Sequence, residues 1–360
     1  MRSYSMLSPK LKTLLPSTLS SLWLTRCAQW QAHQITEETE SAASGANHVY
    51  KNLYPWKSKE EFAKHIVDSI FYNEGGLIAF NKPYGVAVES EARHRSSRSS
   101  FTKRRQHVSG IGDCPYTIED SLSQMAKCLK LEHLTCIKSA ERYASGLTLL
   151  SYTEDALDRA KKAILRSKPL HLPYITAWVI TRGYPAEMAC RERVAMKFIE
   201  VGDSEKKVTI VKEFSKREVE RKLVKPVLVD WKVLARNTVL SASLMEISTT
   251  SVGWHFLRAY PATKVASVLG DPVLRVVDIL GKSLPVTPMG GVQSLPEAVC
   301  KQLRIPKGEG GHKMIPTMVH YHRLLLPGYE KKTDLVITNP HLPLHFDWTM
   351  KQLELSPSVT

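Results

Sequence analysis

Lys138-Ser139-Ala140-Glu141-Arg142-Tyr143-Ala144-Ser145-Gly146-Leu147-Thr148-Leu149-Leu150 puts a charged pair and a Ser-Gly step directly ahead of an apolar run. Leu147 to Leu150 reads as a buried strand. Ser145-Gly146 supplies the tight backbone that feeds it, because glycine tolerates conformations a side chain forbids. Glu141 and Arg142 then fall on a loop at the mouth of a sheet, where a carboxylate beside a guanidinium suits chemistry on an anionic ligand. The plainer alternative is a solvated Glu-Arg pair before an ordinary strand. The rest of the chain decides between them.

Upstream, Ser58-Lys59-Glu60-Glu61 followed by Phe62, His65, Ile66, Ile70 and Phe71 has the cap and spacing of an amphipathic helix. It is expected to run to Asn73-Glu74-Gly75-Gly76. Leu77 to Phe80 then reads as a buried strand, and Asn81-Lys82-Pro83-Tyr84-Gly85-Val86-Ala87-Val88 as its end, a Pro/Gly turn and a second short strand. A stretch without acids holds Arg93, Arg95, Arg98, Lys103, Arg104 and Arg105, which reads as a flexible basic arm for sequence-independent phosphate contact. Gly110-Ile111-Gly112 lacks the third glycine of a dinucleotide site. Ile118 to Leu131 is helical in spacing and leads back to the opening stretch.

Downstream, Thr153-Glu154-Asp155 caps a helix over Ala156 to Leu165 whose outer face carries Arg159, Lys161, Lys162 and Arg166. Strands are expected at Tyr174 to Ile180, Val208 to Val211, Val227 to Leu234 and Ser243 to Ile247, with a basic connection from Lys212 to Lys225. Adjacent strands with helices inserted early and late imply an α+β domain, a mixed and mostly antiparallel central sheet flanked by helices.

The 360 residues include 50 Lys and Arg against 35 Asp and Glu, a net charge of +15. Such an excess points to a polyanionic partner, with nucleic acid ahead of an anionic membrane surface. No apolar run approaches the length of a membrane span. The six cysteines show no C-x-x-C and no zinc spacing, so no metal and no structural disulfide is expected. His255, His320 and His322 read as packing or hydrogen-bonding residues. Trp178, Trp231 and Trp254 read as core or groove aromatics. Met1 to Thr36 contains no acid and is rich in Ser, Thr and Leu with scattered Lys and Arg, as in a mitochondrial transit peptide.

The ordered set of segments resembles the RluA-type family of RNA pseudouridine synthases. Asn81, Lys82, Pro83, Gly85 and Val88 match an N-K-P-x-G-x-x-V turn. The opening stretch is similar to H-R-L-D-R-x-T-S-G-L-L-L-L: Arg142 and Ser145-Gly146 are kept, Glu141 stands at the aspartate, and Lys138, Ser139, Ala140 and Ala144 depart. Tyr174 meets a K-x-Y segment. Val252-Gly253-Trp254-His255-Phe256-Leu257-Arg258 corresponds to G-R-T-H-Q-I-R and keeps its histidine and last arginine. Ser267-Val268-Leu269-Gly270-Asp271 and His320 to Pro327 follow the closing segments. The match runs over about residues 70 to 345.

The resemblance implies a pseudouridine synthase fold without an S4-type domain. It also implies isomerisation of uridine to pseudouridine in RNA without a cofactor. Glu141 would be the carboxylate, Arg258 the arginine within hydrogen-bonding reach that keeps it ionised, and Tyr174 the ring packed against the target base. Lys82 and Arg142 would join the basic arm as RNA contacts. Glutamate carries one methylene more than aspartate, and a misplacement of about an ångström can cost roughly 100-fold in rate. The alternative is therefore a synthase fold kept for RNA binding or ribosome assembly without chemistry. The organisation expected is a transit peptide and linker over 1–47, a helical extension over 48–75, the synthase-like domain over 76–350 with a basic insertion at 91–110, and a tail over 351–360. The implied setting is the mitochondrial matrix, with a monomer acting on mitochondrial messenger or ribosomal RNA, RNA-processing proteins as possible partners, and no membrane.

Overall fold

The computed structural model describes residues 48–89, 114–201, 205–264, 267–271, 275–279, 282–286, 295–306, 309–330 and 333–357. The expected transit peptide and the basic arm lie outside them. Ser58 Oγ accepts the Glu61 N–H and starts helix α1 (Lys59–Asp68). The helix stops earlier than its apolar spacing predicts. Gly75 and Gly76, at φ +60 and +88, close a hairpin in which Ile70 and Phe71 belong to β1 (Ile70–Glu74) and face β2 (Leu77–Lys82). Tertiary pairing takes these residues from the helix, so 48–75 contributes a strand as well as a helix.

The second short strand expected after the Pro/Gly turn is reduced to a bridge between Ala87 and Thr117. Thr117 caps α2 (Ile118–Leu129), after which come β3 (Thr135–Lys138) and β4 (Ser145–Ser151). Thr153 caps α3 (Glu154–Ser167), and β5 (Ile175–Arg182) follows. The next strand, β6 (Ala189–Val201), was not expected because Arg191, Glu192 and Arg193 mask its pattern. Its long antiparallel ladder with β8 (below) makes it a strand regardless of local composition. Then come β7 (Glu205–Val211), a short helix α4 (Lys216–Glu220) inside the basic connection, β8 (Val224–Asn237), β9 (Ala242–Thr249) and α5 (Phe256–Lys264). A separate hairpin, β10 (Arg275–Ile279) with β11 (Lys282–Val286), precedes α6 (Glu297–Gln302), α7 (Glu309–Lys313), β12 (Val319–Glu330), β13 (Thr333–Thr338) and α8 (Leu344–Gln352).

The central sheet runs β1-β2-β4-β12-β5-β9-β8-β6-β7, with β3 added to β4 and β13 to β12. Its pairs among the described residues are antiparallel except β4 with β12. This is the mixed, mostly antiparallel sheet expected. Its central strands are buried on both faces: Ala177, Val179, Met245 and Ile247 join one core with Leu147 and Leu149, while Ile180 and Leu244 join a second with Leu269 and Phe346. Double burial explains why the run from Leu147 to Leu150 is buried at every position, with Leu147 and Leu149 in one core and Leu150 in another, rather than alternating with solvent. A third core packs α1 and α2 on Ile78 and Phe80. Leu353 and Leu355 are buried too, so the expected tail stays packed through 355.

The parallel seam sets up the loop that follows β3. Gly146 lies at φ +112, and a Cβ there would come 2.3 Å from the Tyr321 carbonyl oxygen. Only a residue without a side chain lets β4 approach β12 so closely. One residue earlier, Ser145 Oγ lies 3.1 Å from His320 Nδ1, and Asn339 Nδ2 donates to Asn81 Oδ1 at 3.1 Å. Asn339, just past β13, also lies 3.4 Å from His320 Nε2, so these contacts tie β2, β4 and β12 together beneath the loop.

Candidate active site

Glu141 sits on the loop between Lys138 at the end of β3 and Ser145 at the start of β4. The loop is braced by the neighbouring turn. Gly85 N–H donates to Arg142 O at 2.9 Å, Arg142 Nε donates back to Gly85 O at 3.2 Å, and Ala144 N–H donates to Glu141 O at 2.9 Å. Lys82 completes the brace: its Nζ donates to the carbonyls of Pro83 (3.1 Å), Val86 (2.9 Å) and Ala144 (2.8 Å). An ammonium has three donors, and here three carbonyls meet them. This corrects the expectation for Lys82, which is fully buried and holds the loop instead of facing a phosphate. Burial lowers its pKa to about 7. Arg142 likewise serves the turn through Nε.

The Glu141 side chain is mostly buried and retains 19% exposure. Its Oε2 lies 3.9 Å from His255 Nδ1, too far for a hydrogen bond. Tyr143 and Tyr321 flank it closely enough that each phenol feels the carboxylate. Yet Glu141 Oε2, His255 Nδ1, and the Tyr143 and Tyr321 hydroxyls are all buried without a hydrogen-bond partner. The Tyr143 hydroxyl is near enough to influence the Glu141 carboxylate, and the Tyr321 hydroxyl the Glu141 backbone, but both fall short of bonding geometry. Four such atoms at one place are unusual, because buried polar groups are nearly always paired and a missed bond costs about 1–3 kcal/mol.

Burial raises the Glu141 pKa above its ordinary value, while Tyr143, Lys138, Arg258 and Lys225 pull it down. Burial and the Arg258 charge lower His255 to about 4, so its imidazole is neutral at physiological pH. Burial also raises both tyrosines well above their usual range. The pocket thus pairs an acid that resists ionisation with three cations that favour it.

The expected direct contact between Glu141 and Arg258 is not what the structure contains. Arg258 pairs in bidentate fashion with Asp271: Nε donates to Oδ2 at 2.9 Å, and Nη2 donates to Oδ1. Burial opposes the Arg258 charge, but Asp271 more than offsets this and keeps the pKa above the ordinary value. The guanidinium lies 4.7 Å from the Tyr143 ring centroid, so it sits behind Tyr143 and reaches Glu141 through its field. A buried guanidinium needs a full counter-charge, and Asp271 is the group that supplies it. Tyr174 is also close by, but 6% exposed, in the core beside Tyr321 rather than as an open wall. Arg93, Arg95, Arg98, Lys103, Arg104 and Arg105 lie outside the described residues.

Sequence reasoning brought Glu141, Arg142, Tyr174 and Arg258 to one region and missed Tyr143, Tyr321, His255 and Asp271 as members of it. Asp271 could have been found, since it closes the segment 267–271 that resembles the family. Tyr143 falls on an unspecified position of the motif and carries no such signal. His255 and Trp254 stand at φ +58 and +60, two successive left-handed non-glycine residues ahead of α5. Such conformations cost of order 1–3 kcal/mol each and gather at functional sites. His255 packs edge-on against Tyr143 at 5.5 Å, so this strained turn is what delivers it to the carboxylate. Among the described residues no three His, Cys, Asp or Glu side chains converge as a metal site requires.

No family model matches the chain. It is 26% identical over 304 residues to the mitochondrial mRNA pseudouridine synthase Rpusd3 of Mus musculus, covering 82% of this chain and 80% of that protein. It is 24% identical over 310 residues to RPUSD3 of Homo sapiens, with the same printed name, at 85% and 80% coverage. Against the mitochondrial pseudouridylate synthase RPUSD4 of Danio rerio the identity is 25%, over 82% of this chain and 75% of the relative. Among solved structures, human RNA pseudouridylate synthase domain containing 4 superposes with a TM-score of 0.57 at 20% identity, covering 83% of this chain and 97% of that one. That likeness establishes the fold.

Proposed function

We propose that this chain, a divergent member of the RluA-type RNA pseudouridine synthase family, isomerises uridine to pseudouridine in mitochondrial RNA with Glu141 as the working carboxylate. The observation that carries the reading is the ring of four unpartnered buried polar atoms around that carboxylate. An everted uridine offers imide and sugar groups that would complete their hydrogen bonds. The reaction breaks the C1′–N1 bond, turns the base and forms C1′–C5; N1 gains a proton as C5 loses one. The carboxylate attacks the sugar or base, or removes a sugar proton. Each role needs the ionised acid, which Lys138, Arg258 and Lys225 favour. Arg258 acts from behind Tyr143, and Asp271 fixes its direction. Tyr174 supports Tyr321 from the core, and the basic stretch at 93–105 supplies phosphate contacts.

The printed substrate of the mouse and human relatives favours messenger over ribosomal RNA. The transit-peptide composition of the N-terminus favours the matrix. The test is release of tritium from RNA carrying 5-tritiated uridine, because only C5 loses its hydrogen. The chain should release it, and Glu141→Ala should cut the rate at least about 1,000-fold, the scale of losing an essential nucleophile or base. Absent release, with RNA binding intact, would leave the alternative: a synthase fold that binds RNA in mitochondrial RNA metabolism or ribosome assembly.

A further inference from the structure

The turn that carries His255 begins with a substitution. Gly253 stands where the G-R-T-H-Q-I-R pattern has its first arginine. A Cβ at Gly253 would lie 3.3 Å from Lys225 Nζ, so an ammonium from β8 occupies the space in which that arginine's side chain would start. Trp254 holds the ammonium in place, with Nζ 5.5 Å from its ring centroid, and Phe198 backs the indole at 4.1 Å. Lys225 is half-buried, and neither it nor Lys138 nor Lys168 has an ion-pair partner among the described residues. Its ionisation is lowered first by burial, then by the charges of Lys168 and Lys138, with Glu141 opposing. Lys225 on β8 therefore feels the charges of Lys138 at the end of β3 and of Lys168 just past α3, and both Lys225 and Lys138 act on the carboxylate. Like charges gathered around a single carboxylate disfavour one another and leave positive charge for a further anion to offset.

We propose that Lys225, held on Trp254, together with Lys138 where the Glu141 loop begins, binds a phosphodiester of the RNA strand next to the uridine that enters the Glu141 pocket. Lys225 thereby replaces from another strand the cation missing at Gly253. The assignment rests on the synthase reading for its choice of RNA as ligand, but its test is a binding measurement. Lys225→Met should weaken affinity for a single-stranded RNA about tenfold. It should also lower the slope of log affinity against log salt by about 0.7, the value for one phosphate contact on a single strand. In turnover the same variant should raise KM and also move the acid limb of kcat to higher pH, since Lys225 helps to ionise Glu141, and Lys225→Arg should keep wild-type behaviour. Lys225→Met combined with Gly253→Arg should recover affinity and slope, because the guanidinium then starts from the space the ammonium left. Lys138→Met reads the same slope from a different element should Lys225→Met fail to fold. Unchanged affinity and slope in the folded variants would overturn the subsite. If RNA binds with these changes but no tritium is released, the synthase reading fails while the subsite stands.

Discussion

Replacing Asp271 by Asn removes the counter-charge of Arg258 and changes almost no volume. Arg258 is 2% exposed and Asp271 1%, so neither charge is shielded by water and no discount for solvent screening applies. Removing one member of a buried pair costs about 3–5 kcal/mol, since the remaining charge is stranded. Against a total stability of about 5–15 kcal/mol that is a large share. Arginine cannot shed its proton to escape, so the guanidinium must find another acid. Glu141, whose ionisation Arg258 already favours across Tyr143, is the acid in reach. Two results are expected together from Asp271→Asn: a loss of about 3–5 kcal/mol in urea unfolding followed by circular dichroism, and an acid limb of the rate profile moved to lower pH. Arg258→Met with Asp271→Leu should cost far less than the sum of the single changes. A single-variant loss under about 1 kcal/mol, with the limb unmoved, would show that Asp271 does not govern the arginine.

Gly146→Ala puts a Cβ 2.3 Å from the Tyr321 carbonyl at a φ of +112, so it should destabilise by at least about 2 kcal/mol and lower activity by shifting the Glu141 loop; thermal unfolding and tritium release check this. Lys82→Met leaves the carbonyls of Pro83, Val86 and Ala144 without their donor. At about 1–3 kcal/mol for a stranded buried acceptor, the loss in urea unfolding should be several times that of a surface lysine, and a loss below about 0.5 kcal/mol would return Lys82 to the RNA contacts. For Glu141 the folded pKa lies above the unfolded one, so the native state binds the extra proton and wild-type stability falls as pH rises from the ordinary carboxylate value through the raised one. Glu141→Gln lacks that loss. Its stability relative to wild type should increase as pH rises above 4.5 in urea titrations, and a constant difference would contradict a raised carboxyl.

How much of this was legible in the sequence follows from where each signal resides. Caps at Ser58, Thr117 and Thr153 and the run after Gly146 are local, so the helices and β4 could be read directly. Ile70 and Phe71 satisfy helical spacing and a hairpin equally, and only Gly75-Gly76 together with pairing to β2 settles the matter. Burial of Lys82 had no sign in the chain, because the carbonyls that accept its protons are brought together by the fold, Ala144 from 62 residues away. The same holds for Arg258: its type and place in the motif mark it as important, but its partner is a question of geometry, and Asp271 takes the Nε–Nη2 edge of the guanidinium.

The replacement at 141 then has a physical setting. A longer acid stands in a pocket whose burial works against its charge, with the family's arginine turned to Asp271 and engaged only through Tyr143. What draws the proton off is therefore spread over Lys138, Arg258 and Lys225, and two of those three cations also face the path of the RNA backbone in the proposed subsite. A phosphate neutralising Lys138 and Lys225 would weaken their pull on Glu141, so substrate binding and carboxylate ionisation oppose each other electrostatically. The hydrogen bonds that a uridine would supply to Glu141 Oε2, His255 Nδ1 and the two tyrosines would then be the compensating term, which would put the discrimination for uridine at these four unpartnered atoms instead of at the cations.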